Sequence, residues 1–172
     1  EVHLIEMLPR ILPIEDEDVS KELQRNFKKT GIKIHTDSKV SKIDALKSKV
    51  KIHLEKKRET KVIEADIALV AVGVTGNVEN IGLEDIGVAV DLNSITINEF
   101  NQTSIPNIYA IGDVTGPPWL AHVASAQGHV AAEHAAGQKV VPVDYNNIPS
   151  CTYCQPQVAS IGLTESLAKE KG

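Results

Sequence analysis

Thr103-Ser104-Ile105-Pro106-Asn107-Ile108-Tyr109-Ala110-Ile111-Gly112-Asp113 is the stretch whose reading decides the fold. Ile108 to Ile111 read as a buried strand that closes on glycine and delivers a carboxylate at its C-terminal end, where open α/β sheets seat their ligands. Gly112 lets a bulky group approach the backbone, and Asp113 can accept a sugar hydroxyl there. Just downstream, Thr115-Gly116-Pro117-Pro118 reads as a rigid turn, and Trp119-Leu120-Ala121-His122 opens a helix predicted over Leu120 to Ala136 and ended by Gly137. The free N–H groups and positive dipole end of that helix would favour negative charge on a ligand. Ala121, Ala124, Ala126, Gly128, Ala131 and Ala132 keep the helix slim enough to pack on a sheet or a flat ring, which leaves an apolar slot.

Upstream, Glu1 to Glu6 alternates as a strand, and a Pro-rich acidic turn leads into a helix predicted from Asp16 to Thr30, ended by Gly31. Val19, Leu23 and Phe27 fall at helical spacing with Lys and Glu opposite, the pattern of an amphipathic helix lying on a sheet. Ile32 to His35 is the next strand. Lys39–Asp44, Lys49–Lys56 and Lys61–Glu64 alternate apolar with polar residues and predict an antiparallel meander. Ala65 to Gly73 runs apolar without alternation, as a strand covered on both faces would. After Gly73 the sequence loosens, with a short strand predicted near Ile95 to Asn98 and a linker from Pro142 to Pro149. The first residue is Glu1 rather than Met and begins a strand directly, and Glu165 to Gly172 reads as an unfinished helix, so both ends read as truncated.

A hydrophobic share of 42% is ample for a core, but aromatics are only 3%, so Val, Ile, Leu and Ala must fill it. The formal net charge of −5 gives no broad basic field for nucleic acid or anionic lipid, and neither is expected as a partner. No apolar run approaches the roughly 20 residues of a membrane span, and no cationic and apolar leader opens the chain.

Thr-x-x-x-Pro-x-Ile-Tyr-Ala-x-Gly-Asp followed by Trp-Leu-Ala-His resembles the second flavin-binding motif of the glutathione-reductase-like flavoproteins, the class I pyridine nucleotide-disulfide oxidoreductases. The run Gly116-Pro117-Pro118-Trp119-Leu120-Ala121-His122 is most similar to that of dihydrolipoyl dehydrogenases of bacterial or plastid type, and the similarity extends over nearly the whole chain. The fold class this implies is α/β: a partial Rossmann-like NAD-binding domain with its antiparallel β-meander (1–75), a central FAD-completing region (76–146), and the first strand of an α+β dimerisation domain (147–172). The resemblance gives Asp113 to the FAD ribityl chain and the backbone of Leu120, Ala121 and His122, beside Trp119, to the flavin pyrimidine edge. A lone Gly-Asp would read as a capping or turn aspartate; the length of the motif reverses that. The His122 side chain is not expected to be catalytic, because the family uses the backbone at this turn.

An acidic residue ending a second Rossmann strand can accept both adenosine ribose hydroxyls and repel a 2′-phosphate, so Glu6 is read as selecting NAD over NADP. The resemblance adds Val40 beside the adenine and Gly73 beside the nicotinamide dinucleotide. Val74-Thr75-Gly76-Asn77 stands where many relatives carry Arg-Arg-Pro or Arg-x-Pro, which removes a familiar basic contact.

Cys151-Thr152-Tyr153-Cys154 invites a redox reading. In the family the disulfide that meets the flavin is a Cys-x4-Cys pair near the N-terminus, so these are read as structural thiols; two cysteines also cannot complete a four-ligand zinc site. His3, His35, His53, His129 and His134 make no metal spacing, and Glu55 to Glu59 reads as a solvated hairpin tip. The resemblance implies a full enzyme that oxidises protein-bound dihydrolipoamide with NAD through FAD and a redox disulfide. It would be a homodimer serving the dihydrolipoyl domain of a 2-oxo acid dehydrogenase complex, in the bacterial cytoplasm or an organelle matrix or stroma. The chain itself, lacking the disulfide and the family's His/Glu dyad, is expected to be inactive alone, with no catalytic residue assigned. The alternatives are another reductase of the glutathione or mercuric reductase type, and a non-catalytic binding module using the Cys-x-x-Cys hairpin.

Overall fold

In the computed structural model, described for residues 1–57 and 59–172, the chain forms two compact units, one of residues 1–71 with 149–172 and the other of residues 72–148.

The first unit begins with β1 (His3–Ile5), α1 (Glu17–Lys29) and β2 (Lys33–His35). The two strands pair in parallel, Leu4 opposite Ile34, with α1 as the crossover. Asp16 caps α1, Glu17 and Asp18 sit in its first turn and Lys28 and Lys29 in its last, each charge complementing the helix dipole. The buried face differs by one step from the pattern read in the sequence. Leu23 and Phe27 pack inward, but Val19 stays exposed and Ser20 is the buried residue, its hydroxyl donating to the Ile11 carbonyl. That carbonyl needs a donor, and Ser20 supplies one at the position where Val19 could not.

β3 (Lys39–Ala45), β4 (Val50–Lys56) and β5 (Glu59–Ala65) form the antiparallel meander. Ile52 lies opposite Ile63, and with Leu54 they are buried against Ile5 and Ala68. The two strands pair as far as Lys56 opposite Glu59; Arg58, within the expected hairpin tip, lies outside the described residues. The same unit is completed by the hairpin β6 (Ser150–Thr152) with β7 (Val158–Ser160) and by α2 (Glu165–Lys171). Val158 joins the buried cluster of Ile11 and Leu23.

The expected strand from Ala65 to Gly73 does not form beyond Ala65. Ile67, Leu69, Val70 and Val72 are exposed, Leu69 at 91%, and no described strand pairs with them. An apolar run becomes a strand only where a neighbour supplies its ladder and a layer covers its faces; among the described residues no strand pairs with this run, and only Ala68 packs on the meander's core.

The second unit holds a two-residue ladder, β8 (Val90–Asp91) with β9 (Ser94–Ile95), numbered after the first unit's strands, a 3-10 turn (Gly112–Thr115), α3 (Ala121–Ala135) and a second 3-10 turn (Tyr145–Asn147). Its core is Val78, Val88, Ile95 and Ala110, flanked by Ile97, Ile108 and Val114. The strand expected at Ile108 to Ile111 is reduced to one bridge, Tyr109 with Gln102, and the one expected near Ile95 to Asn98 ends at Ile95. The first is held by isolated bonds, Thr103 N–H to the Ile108 carbonyl at 2.9 Å and Ala110 N–H to the Asn101 carbonyl at 3.0 Å, and the second by Thr96 N–H to the Ala89 carbonyl at 3.0 Å and Asn98 N–H to the Gln102 carbonyl at 2.9 Å, instead of by a continuous ladder. The expected linker from Pro142 to Pro149 contains the second 3-10 turn, where the Asn146 amide donates to the Asp144 carboxylate at 3.0 Å.

Candidate functional site

The turn that carries Asp113 is built from glycine outward. Gly112 has φ +75°, a region closed to most side chains, and a Cβ there would meet that of Ala124 on α3 at 3.4 Å. Residues 112–115 then wind into one 3-10 turn, closed by the Thr115 hydroxyl donating to the Gly112 carbonyl at 2.8 Å. Asp113 is exposed, and its carboxylate has no hydrogen-bond partner among the described residues. Gly116, buried with φ +96°, turns the chain away toward Pro117 and Pro118.

α3 starts without a side-chain cap. Leu120 stands at its N-cap in an extended conformation, and no acidic residue lies in the first turn. Leu120 N–H donates to the Pro118 carbonyl at 3.0 Å, and the positive end of the helix dipole carries no acidic side chain in its first turn. Gly128 lies so close to Ile111 that a Cβ would be 3.4 Å from its Cδ1, which is how the slim helix seats against the motif strand. The structure therefore brings Asp113, Trp119, Leu120, Ala121 and His122 into one unit, with Trp119 at 42% exposure and His122 exposed on the first turn of α3.

Gln127 holds this arrangement and was not singled out in the sequence. It is buried at 4% exposure. Its Oε1 accepts from the Gly112 amide at 2.6 Å, and its Nε2 donates to the Tyr145 hydroxyl at 2.8 Å and lies 3.4 Å from Thr115 Oγ1. Its backbone carbonyl accepts from Asn101 Nδ2 at 3.2 Å. The available signal was a lone long polar side chain on the helix face of Val123, Val130 and Ala131. A cavity of about 380 Å³ lies beside it, lined by Glu99, Thr115, Pro117, Gln127 and Tyr145 among others, but by none of the expected flavin contacts. Near the far end of α3, His134 stacks on Phe100 with ring centroids 4.6 Å apart and pairs through Nδ1 with the Tyr109 hydroxyl at 2.8 Å, a packing role.

In the first unit, Glu6 closes β1. Its Oε1 accepts from the Leu8 amide at 2.8 Å, and its other carboxylate oxygen has no partner among the described residues. Val40, on β3 beside a bulge, is 38% exposed. Gly73, with φ +120° and open space around it, falls in the second unit. Behind β1, His3 Nε2 bonds the Glu1 carboxylate at 2.6 Å and must carry the proton there, so its Nδ1 accepts from His35 Nε2 at 2.9 Å when both rings are neutral. Burial, with Lys61 and other cations nearby, holds His35 below the usual imidazole range.

Cys151 and Cys154 are free thiols. Cys154 is half-buried against the Ile11 and Leu23 cluster, its Sγ donating to the carbonyls of Pro156 at 3.1 Å and Thr152 at 3.4 Å. Among the described residues no group of acidic, His or Cys side chains could hold a metal ion, and no helix is long and apolar enough to cross a membrane.

Compared with known proteins, residues 1–128 match the family pattern of pyridine nucleotide-disulphide oxidoreductases. The chain is 43% identical to a dihydrolipoyl dehydrogenase of Rhizobium etli and 46% identical to one of Mycobacterium leprae, in each case over 100% of its own length and 36% and 37% of theirs. It superposes on LpdA of Mycobacterium tuberculosis with a TM-score of 0.90 at 26% identity, covering 99% of this chain and 37% of that one. The HOCl-induced flavoprotein disulfide reductase RclA of Escherichia coli, 23% identical, shares the fold with a TM-score of 0.87 over 100% of this chain and 39% of its own. The chain thus spans a little over a third of the length of the relatives it matches.

Proposed function

Because the chain belongs to the pyridine nucleotide-disulphide oxidoreductase family, we propose that it supplies NAD-facing and FAD-facing surfaces of a dihydrolipoyl dehydrogenase. That enzyme would oxidise protein-bound dihydrolipoamide with NAD by way of FAD and a redox disulfide. The observation that carries the reading is the Gly112–Asp113 turn, whose carboxylate has no partner among the described residues, in the same unit as a helix start at Leu120 without a side-chain cap. This set fits a flavin: a carboxylate for a polyol hydroxyl, the positive end of a helix dipole for an electron-rich ring edge, and a helix of small residues against a flat ring.

When bound, FAD would supply electron transfer between a dithiol and the nicotinamide. Asp113 would accept from the ribityl chain, and Trp119, Leu120, Ala121 and His122 would border the pyrimidine edge, where an uncapped helix start favours negative charge. Glu6 would accept the adenosine ribose hydroxyls of NAD and oppose a 2′-phosphate, with Val40 beside the adenine and Gly73 beside the dinucleotide. We assign residues 1–75 to the NAD-binding domain, 76–146 to the FAD-completing region and 147–172 to the start of an interface domain that would form a homodimer. The partner would be the dihydrolipoyl domain of a 2-oxo acid dehydrogenase complex.

No residue here is proposed to carry the disulfide or the proton-transfer dyad. Cys154 is held by carbonyls inside an apolar cluster, which supports a structural role. The purified chain is expected to bind FAD, with the binding lost in Asp113→Ala, and to give no turnover with dihydrolipoamide and NAD. Binding unchanged by Asp113→Ala would remove the flavin assignment; measurable turnover would remove the claim that the chemistry lies elsewhere.

A further inference from the structure

We propose that Gln127 is the positioning residue of the flavin site, holding the Gly112–Asp113 turn in the one shape that offers the Asp113 carboxylate outward. The inference rests on the flavin reading above. A primary amide has one acceptor oxygen and two donor hydrogens. Gln127 directs them to both ends of the turn: Oε1 takes the Gly112 N–H at 2.6 Å, and Nε2 faces the Thr115 hydroxyl at 3.4 Å and the Tyr145 hydroxyl at 2.8 Å. Thr115 in turn donates to the Gly112 carbonyl at 2.8 Å, so the amide and the carbonyl of Gly112 are both committed, and Asp113 follows directly on a fixed peptide.

The scaffold behind Gln127 is equally determined. Asn101, 2% exposed and at φ +63°, donates to the Gln127 carbonyl, while its own carbonyl accepts from the Ala110 amide. One pair of buried amides therefore ties α3 to the segment entering the Asp113 turn and to the turn itself. The essential element is the acceptor for the Gly112 N–H, because a half-buried amide without a partner favours any backbone arrangement that lets it find one. A carboxylate at position 127 would keep that acceptor, and the hydroxyls of Thr115 and Tyr145 can rotate to donate to it. An aliphatic side chain would not.

The test is FAD titration of the purified protein, following flavin fluorescence and the visible flavin band, on wild type, Asp113→Ala, Gln127→Leu and Gln127→Glu, with the melting temperature of each unliganded protein. Gln127→Leu is expected to raise the Kd at least roughly tenfold, the scale of one lost buried hydrogen bond, and Gln127→Glu to restore most of the affinity. FAD binding by Gln127→Leu as tight as wild type, while Asp113→Ala loses it, would overturn the inference and leave the flavin reading standing. So would a loss in Gln127→Glu equal to that in Gln127→Leu. If wild type and Asp113→Ala bind FAD equally or not at all, both fall together. Should Gln127→Leu fail to fold, Gln127→Met, of the same length and without the amide, decides: weaker binding supports the role, and unchanged binding overturns it.

Discussion

The hydroxyl of Ser160 donates to Glu15 Oε1 at 3.1 Å, joining residues 145 positions apart. Glu15 is 4% exposed, so this contact attaches the β6–β7 hairpin to the loop before α1 through a carboxylate that water scarcely reaches. Ser160→Ala leaves a buried oxygen without that donor and is expected to cost about 1–2 kcal/mol. Denaturant unfolding gives the loss, and amide exchange of residues 158–160 should quicken by more than that of β4. A change within about 0.3 kcal/mol would mean that the Val158 packing alone fastens the hairpin.

A second attachment titrates. One Asp16 oxygen accepts from the Asp18 amide at 3.2 Å and the other from the Glu165 amide at 3.0 Å, and these bonds, that of Glu165 first, hold the Asp16 carboxyl below the usual aspartate range. The unfolded chain takes up its proton near the ordinary value of about 4, whereas the folded chain takes it up only at lower pH. The contribution is therefore complete above that value and is lost as pH falls through the depressed folded one. Asp16→Asn keeps a cap acceptor but no titration, so its denaturation midpoint should decline less steeply with acid below about pH 4. Parallel declines in the two proteins would remove Asp16 from the account.

The elements legible in the sequence were those whose stability is local. The helix between Asp16 and Gly31 followed from the helical spacing of its apolar residues and the glycine that ends it, and the meander from alternation, because each strand brings its neighbour within a hairpin's reach. Ala65 to Gly73 is apolar without forming a strand beyond Ala65, because an apolar run encodes burial, not the ladder that must supply it. Asp113 and the Leu120 turn stood out through a long motif. Gln127 did not, because its importance lies in contacts with residues 112, 115 and 145, a convergence that exists only in the folded chain.

Two glycines distinguish crowding from backbone conformation. A Cβ on Gly76 would fall within hard-sphere distance of the Asn93 carbonyl oxygen and 3.5 Å from Val114 Cα, so Gly76→Ala must shift backbone and should cost about 1–3 kcal/mol. Gly137, at φ +74° after α3, has open space around it, and Gly137→Ala should cost only about 1 kcal/mol from conformation. Thermal melts of the two variants check the order; equal losses would show that the segment around residue 76 yields freely.

Glu6 carries the last prediction, which concerns nucleotide choice. One of its oxygens is fixed by the Leu8 amide at 2.8 Å, and its second has no partner among the described residues, so on the proposed reading it would be the one to accept a ribose hydroxyl. Gln has the same length and keeps an acceptor for Leu8, but it removes the negative charge that opposes a 2′-phosphate. Glu6→Gln should therefore weaken NAD binding modestly, by a few-fold, and strengthen NADP binding, shifting the ratio of the two by roughly tenfold or more, on the scale of about 1–2 kcal/mol for a charge contact. Equilibrium titration with each nucleotide measures the ratio directly, without turnover. A ratio unmoved by the substitution would mean that the ribose is read by some other residue, and the NAD assignment would lose its acidic anchor while the flavin site kept its own.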